Sequence, residues 1–200
     1  VSEKGTPHKA FLFCRGILQD FHIKGRIYDK ISKKRYGKIK GEINMQPKRV
    51  SDTMIEQVYQ VRPEHLNGSG RLFGGRLMEW IDEVAGLVAM RHAQSNVITA
   101  SVDNLKFIRG VYQGDLLVLI GKMTYVGNTS MEVRVDTYVE TLDGIRRPVN
   151  RAYLVQVAVD ESDKPVQVPG LLVESESEKG EWEAGVRRRA MRKQRKEEGF

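Results

Sequence analysis

The chain has 200 residues, of which 40% are hydrophobic and 30% charged, and its formal net charge is +7. This composition is typical of a globular protein and excludes a disordered polymer and a collagen-like repeat. No apolar run approaches the roughly 20 residues that cross a bilayer. Cys14 is the only cysteine, which excludes a disulfide framework and a cysteine-based zinc site. A lone cysteine suits a reducing compartment, so we expect a cytoplasmic protein.

The excess positive charge lies at the N-terminus. Residues 1–44 contain 11 Lys and Arg against 4 Asp and Glu, and the remaining residues are neutral overall. A pI near 9.5 would ordinarily indicate nucleic-acid binding, but here it describes one segment. Composition changes at Met45, so we expect residues 1–44 to be a basic leader outside a folded domain of residues 45–172. A basic arm that binds nucleic acid is the alternative.

One segment, residues 75–93, predicts a buried helix. At about 100° per residue, its charged residues Arg76, Glu79 and Glu83 share one narrow face. Apolar residues cover most of the remaining circumference. A helix that is apolar over so wide an arc must have other structure wrapped around it.

The segments around this helix read as strands. Residues 130–140 alternate between apolar and polar side chains, and residues 116–126 are rich in branched apolar ones. Residues 97–108 and 151–160 are also strand-like, and residues 56–62 could form a first strand. A single helix cannot cover two faces of a sheet, so we predict an α+β fold in which an antiparallel sheet curves around one long central helix.

The C-terminal tail, residues 173–200, is charged and of low complexity. Its glutamates come first and its arginines and lysines last, an order that suits the dipole of a helix. We therefore predict a solvated helix over about residues 181–198. Binding of an anionic partner by this basic end is the alternative.

Asp82 stands out because it lies on the apolar side of the polar stripe. A carboxylate there loses hydration, which is costly unless a partner or a function retains it. A solvent-exposed edge residue is the simpler alternative. The glycine-rich loop that precedes the helix adds to the functional interpretation. Gly74 and Gly75 leave the first helical N–H groups unobstructed, which suits a carbonyl oxygen that acquires negative charge.

Two motifs in this region, Asn-x2-Gly-x2-Phe-Gly-Gly at residues 67–75 and Trp-Ile-Asp-Glu-Val-Ala-Gly at residues 80–86, are long and occur in order. With them, residues 54–170 closely resemble the hotdog-fold acyl-CoA thioesterases. The resemblance is strongest to the bacterial acyl-CoA hydrolases that are related to the cytosolic acyl-CoA hydrolase of animals. It implies the hotdog fold and a homo-oligomer, a dimer that usually assembles as a hexamer, with acyl-CoA as the substrate.

The resemblance also implies roles for individual residues. Asn67 and Asp82 correspond to the catalytic pair, which face each other across a dimer interface in the family. Asp82 would be the general base that deprotonates water, and Asn67 would orient that water or the thioester. The remaining candidates would bind the substrate, as oxyanion donors or as contacts to pantetheine and phosphate: Gly74, Gly75, Arg109, Thr129 and Ser130. No cofactor is implied, because coenzyme A is part of the substrate.

Other chemistries are less favoured by the sequence. His65 and His92 do not have the spacing of a metal site, so we expect no metal. The fatty-acyl dehydratases of the same fold carry a catalytic histidine where Phe73 stands here, so dehydration is not expected. A non-catalytic protein that binds or senses acyl-CoA remains the alternative to a thioesterase, and nucleic-acid binding is a third interpretation.

Overall fold

A computed structural model describes residues 45–199 of the chain. The predicted basic leader lies outside the described residues. Within them, a 3₁₀ turn (Pro63–His65) accompanies the following helices and strands: α1 (Val50–Thr53), α2 (Gly74–Ala93), α3 (Glu176–Glu197), β1 (Lys48–Arg49), β2 (Ile55–Gln60), β3 (Asn96–Phe107), β4 (Leu116–Val126), β5 (Ser130–Glu140), β6 (Arg146–Val159) and β7 (Leu171–Leu172). No helix among the described residues is long and apolar enough to cross a membrane.

Five strands form one antiparallel sheet in the order β2-β4-β5-β6-β3. Strands β2 and β3 are therefore its two edges, and β5 is at its centre. Helix α2 packs on the face that presents the apolar side chains of β5, Met131, Val133 and Val135. The predicted α+β architecture, a sheet around one long helix, is confirmed.

The helix lies close to the sheet because one strand position has no side chain. A Cβ atom at Gly121 of β4 would lie 2.7 Å from Val84 and 2.8 Å from Val88, which is closer than carbon atoms approach in folded proteins. Both valines are fully buried. A larger residue at position 121 would push the helix away from the sheet, so this glycine sets the distance between the two layers.

The predicted strands are confirmed, most boundaries lie within one or two residues of the prediction, and one differs by more. Strand β6 begins at Arg146, five residues before the predicted start. The sequence did not predict this extension because Pro148 has no N–H to donate and is therefore unexpected inside a strand. A register shift between Thr137 and Tyr138 of β5 accommodates it, and Arg146 continues the pairing opposite Glu140.

Helix α3 begins at Glu176, earlier in the chain than expected, and is not solvated on all sides. A capping box starts it, in which the Glu178 N–H donates to the Ser175 hydroxyl at 3.2 Å and the Ser175 N–H donates to the Glu178 carboxylate at 3.0 Å. The Trp182 ring packs on Tyr125, with ring centroids 4.7 Å apart. The prediction of a fully solvated helix is therefore wrong: one face of α3 covers the sheet on the side opposite α2.

Buried ion pairs hold α3 in place. The Glu132 carboxylate on β5 is 1% exposed and accepts hydrogen bonds from Arg188 at 2.7 Å and Arg192 at 2.8 Å. Arg192 also donates to Asp103 on edge strand β3 at 2.7 Å. The Arg188 guanidinium lies 3.7 Å from the ring centroid of Tyr153 on β6. We call Asp103, Glu132, Arg188 and Arg192 the α3 ion-pair network. It ties the helix to two strands, and a buried charge that loses its partner is strongly destabilising.

We predict that Arg188→Met lowers the free energy of unfolding by about 2–3 kcal/mol, because it removes a charged donor from a buried carboxylate. Urea denaturation at one protein concentration measures the change. Lys193→Met is the matched control: its 3.7 Å pair with Glu197 is 80% exposed at the lysine, and exposed pairs contribute about 0–1 kcal/mol. Equal effects of the two substitutions would contradict the assignment.

Candidate active site

The loop before α2 presents Asn67 in a fixed orientation. Its Oδ1 accepts hydrogen bonds from the backbone N–H groups of Ser69 at 2.9 Å and Arg71 at 3.2 Å. This is an Asx turn, in which the side chain substitutes for a backbone carbonyl. No hydrogen bond found among the described residues uses the Asn67 Nδ2 group. The amide is therefore held through its oxygen, and its two N–H donors remain for a ligand.

The first two N–H groups of α2 are also unpaired within the helix. The helical hydrogen bonds begin with the Arg76 N–H, which donates to the Phe73 carbonyl at 3.0 Å. The N–H groups of Gly74 and Gly75 precede this bond. A Cβ atom at Gly75 would overlap the Phe73 ring, so the absence of a side chain lets this exposed ring lie against the first turn of the helix. Two donors at the positive end of a helix dipole are suited to bind an oxyanion.

A cleft of about 360 Å³ brings three of the predicted residues together: Asn67, Gly74 and Arg109. We call it the loop cleft. Its polar groups come from the loop and from Arg109, which is exposed. Much of the remaining wall is apolar and includes Leu72, Leu77, Phe107, Val111 and Val149. The cleft thus combines hydrogen-bond donors, a cation and an apolar surface, the combination expected of a site for an amphipathic ligand.

Asp82 does not line the loop cleft of its own chain. It lies eight residues after Gly74 on α2, about 12 Å along the axis at 1.5 Å per residue. Its side chain is half-buried, and its Oδ1 accepts a 2.6 Å hydrogen bond from the Thr99 hydroxyl on β3. Thr99 is a candidate site residue that was not among those expected from the sequence. The only signal in the sequence was a threonine in the strand that directly follows the helix.

Thr129 lies in the turn between β4 and β5, Ser130 is the first residue of β5, and neither lines the loop cleft. Sheet register aligns Ser130 with Val157 of β6, and Val157 with Ile98 of β3, the residue before Thr99. The turn is therefore at the same end of the sheet as the Thr99–Asp82 hydrogen bond. Within one chain, the loop cleft therefore contains Asn67, Gly74 and Arg109, whereas Asp82, Thr129 and Ser130 lie outside it.

The two acidic residues of the polar helix face have structural partners. Glu79 pairs with Arg76 at 2.7 Å, and Glu83 accepts a hydrogen bond from the Tyr59 hydroxyl at 2.8 Å. The Tyr59 ring stacks on Trp80 with centroids 4.5 Å apart. Burial raises the pKa of Tyr59, and its hydrogen bond to Glu83 raises it further, so the phenol is neutral and serves as a donor.

His65 and His92 have structural positions. The Nδ1 atom of His65 accepts from the Arg62 N–H at 3.1 Å, and its ring meets Trp80 edge-on at 5.0 Å. His92 is fully buried, and its Nε2 lies 2.8 Å from the Pro169 carbonyl. No cluster of His, Cys, Asp and Glu within residues 45–199 could hold a metal ion.

His92 makes stability depend on pH. Burial lowers its pKa below 6.5; the Pro169 carbonyl partly opposes the shift, and the nearby Lys48 ammonium adds to it. As pH falls below about 6.5, the unfolded chain therefore binds a proton that the folded chain resists, and stability falls with pH at up to about 1.4 kcal/mol per unit. We predict this acid-side loss in urea titrations between pH 7 and pH 5. His92→Gln, which keeps an amide donor, should remove most of the slope, and an unchanged slope would contradict the assignment.

Comparison with known proteins places this geometry in a family. Residues 69–144 match the model of the thioesterase superfamily. The chain is 36% identical over 146 residues to an uncharacterised acyl-CoA thioester hydrolase of Bacillus subtilis, covering 72% of this chain and 85% of that protein. This chain belongs to the hotdog-fold acyl-CoA thioesterases. It is also 35% identical over 147 residues to the rat cytosolic acyl coenzyme A thioester hydrolase, which covers 72% of this chain but 38% of that protein. The chain thus spans about two fifths of the length of this animal relative.

Solved structures of the family agree with the fold. A hexameric acyl-CoA thioesterase superposes with a TM-score of 0.72 at 40% identity, over 75% of this chain and 97% of that one. An acyl-CoA hydrolase from Staphylococcus aureus, in complex with butyryl coenzyme A and coenzyme A, has a TM-score of 0.72 at 35% identity, over 76% of this chain and 93% of that one. The Staphylococcus protein was also solved with single alanine substitutions of an asparagine, an aspartate 15 positions later and a threonine 17 positions after that.

Proposed function

We propose that the protein hydrolyses acyl-CoA to a free carboxylic acid and coenzyme A. The observation that carries this proposal is the Asp82 carboxylate, half-buried on the central helix and held by the Thr99 hydroxyl at 2.6 Å. A carboxylate fixed in this way can accept a proton from water without itself attacking the substrate. We propose that the reaction takes place without a cofactor or metal ion, because each step can be assigned to a protein group or to water.

The proposed reaction has two steps. Asp82 removes a proton from water as the water oxygen bonds to the thioester carbonyl carbon, and the Gly74 and Gly75 N–H groups donate to the resulting oxyanion. The carbonyl then re-forms, the carbon–sulfur bond breaks, and the thiolate of coenzyme A takes up the proton that Asp82 accepted, which restores the carboxylate. The Asn67 Nδ2 group orients the water or the thioester. The products are a carboxylic acid and coenzyme A.

Residue spacing supports this assignment. Asn67, Asp82 and Thr99 are separated by 15 and 17 positions. The asparagine, aspartate and threonine substituted in the Staphylococcus acyl-CoA hydrolase are separated by the same 15 and 17 positions. Asn67 was expected from the sequence as the partner of Asp82, and the spacing adds Thr99 to the pair.

We further propose that a complete site forms between two copies of the chain. Asn67 and Asp82 lie at different places on one chain, so a second copy must bring an Asp82 to each loop cleft. The open side of α2 supports this, since Met78 and Met90 there are 44% and 40% exposed. Edge strand β3, which carries Thr99, also exposes Ile98 and Val102 at 50% and 43%. Exposed apolar side chains along an unpaired edge favour contact with another chain.

Arg109, Thr129 and Ser130 are proposed to bind the coenzyme A portion. Arg109 lies at the loop cleft and has no ion-pair partner among the described residues, so its guanidinium could bind a phosphate. Thr129 and Ser130 offer hydroxyl groups at the sheet end that also carries Thr99. We also propose that the protein is a homo-oligomer of dimers, that it is cytoplasmic and that it does not bind nucleic acid.

Substitution of the proposed general base tests the mechanism. We predict that Asp82→Asn lowers kcat by a factor of about 100–10,000, the usual contribution of a general base, and that Asn67→Ala lowers it by at least about tenfold. Release of thiol from a panel of acyl-CoA substrates measures both. Glu79→Gln is the control on the same helix and should retain wild-type turnover, since Glu79 is exposed and its ion-pair partner within residues 45–199 is Arg76 alone. Full activity of the Asn67→Ala, Asp82→Asn double variant would refute the mechanism, and binding of acyl-CoA by the wild type without thiol release would favour the sensor alternative.

Mixing two inactive variants tests the shared site. If Asn67 acts with the Asp82 of a partner, a dimer of one Asn67→Ala chain and one Asp82→Asn chain contains one intact site. Random exchange of subunits should then restore about one quarter of wild-type activity. A mixture that stays as inactive as its components, although mass spectrometry shows that subunits have exchanged, would place the site within one chain.

A further inference from the structure

Gln156 is a polar side chain within the apolar layer that faces the central helix. It lies on β6 in a column that also contains Ala152, Leu154 and Ala158, and it is 1% exposed. Sheet register places it between Met131 of β5 and Thr99 of β3. A buried amide without hydrogen bonds costs about 1–3 kcal/mol, so its partners show what it does there.

Both polar atoms of the Gln156 amide lie near one atom, the Thr99 hydroxyl oxygen. The amide Nε2 donates to Thr99 Oγ1 at 2.9 Å, and the amide Oε1 is 3.2 Å from the same oxygen. Thr99 in turn donates to Asp82 Oδ1 at 2.6 Å. A hydroxyl has one proton to donate. Because the amide N–H can only donate, it occupies an acceptor position on Thr99 and leaves the hydroxyl proton for Asp82.

The same amide can stabilise Asp82 after it has become protonated. A protonated Asp82 has a proton to donate to Thr99 Oγ1. The Thr99 hydroxyl proton must then turn away from Asp82, and the Gln156 carbonyl oxygen at 3.2 Å is an acceptor in reach. The chain Gln156–Thr99–Asp82 thus offers one complete hydrogen-bond arrangement for the carboxylate and another for the carboxylic acid. A general base passes through both forms in each turnover.

We propose that Gln156 is a positioning residue for the hydrolysis, which sets the direction of the Thr99 hydrogen bond and reverses it as Asp82 gains and loses its proton. The inference rests on the proposed function, since it assumes that Asp82 is the base. Gln156 does not touch the substrate, because it acts through Thr99. A purely structural role would be limited to filling the apolar layer and satisfying the Thr99 hydroxyl.

Gln156→Met tests this role, since methionine has a similar volume and shape but cannot form the two amide hydrogen bonds. We expect kcat for an acyl-CoA substrate to fall by about tenfold or more, as expected for loss of one hydrogen bond that orients a catalytic group, with KM changed by less than about twofold. Gln156→Glu keeps an acceptor, and as a neutral acid it also keeps a donor, so it should retain more activity than the methionine variant. Thermal denaturation and light scattering check that folding and assembly are unchanged.

A double-mutant cycle with Thr99→Val separates positioning from packing. If Gln156 acts through the Thr99 hydroxyl, Gln156→Met should lower kcat no further once that hydroxyl is gone. Independent losses of kcat that multiply in the double variant, or wild-type kcat in Gln156→Met, would overturn the proposal. An inactive wild-type enzyme would instead contradict the proposed function, and an active wild type that loses turnover with Asp82→Asn but not with Gln156→Met would contradict only this inference.

Discussion

The structure depends on one packing constraint: a helix that is apolar around most of its circumference is covered by a sheet on only part of it. Val84 and Val88 approach the sheet so closely that β4 needs a glycine at position 121. The opposite side of the helix stays open in a single chain. It carries Met78, then Asp82 four residues later and Met90 eight residues after that. The half-buried carboxylate is thus placed at the boundary between the packed layer and the uncovered side of the helix, which exposes Met78 and Met90 together with Glu79 and Glu83. That position reduces its hydration while leaving it accessible to a ligand.

The other face of the sheet is held by charge, because its cover is a strongly charged helix. Glu132 and Asp103 extend from neighbouring parts of the sheet, and the arginines of α3 meet them at hydrogen-bond distance. Arg192 joins Asp103 of edge strand β3 to Glu132 of β5 across the intervening strand β6. Since β3 also carries Thr99, the α3 ion-pair network supports the strand that orients Asp82. The two faces of the sheet are therefore coupled through one edge strand.

Much of the fold could be predicted from periodicity, because the helix and the strands each have a strong and separate pattern. Helix α2, strands β3 to β5 and the α+β layering follow from the apolar positions alone. The packing of α3 could not be predicted, since an arginine that neutralises a buried glutamate is identical in sequence to one that faces water. The early start of β6 was hidden by Pro148, which is accommodated by a bulge at Val149 of the same strand. At the site, Asp82 was identified by its position among apolar neighbours, whereas Thr99 and Gln156 are recognised only when strand register brings them to the helix.

The arrangement explains why the candidate site needs several elements that are distant in sequence. The loop cleft supplies donors and an apolar wall, and the helix supplies a carboxylate on its open side. Neither group is sufficient for hydrolysis, because an oxyanion site without a base cannot activate water and a base without donors cannot stabilise the tetrahedral intermediate. The α2 helix separates the two groups by about 12 Å within one chain. In the proposed dimer, a second copy brings its own helix to the loop cleft, so the open side of α2 would serve assembly and chemistry together.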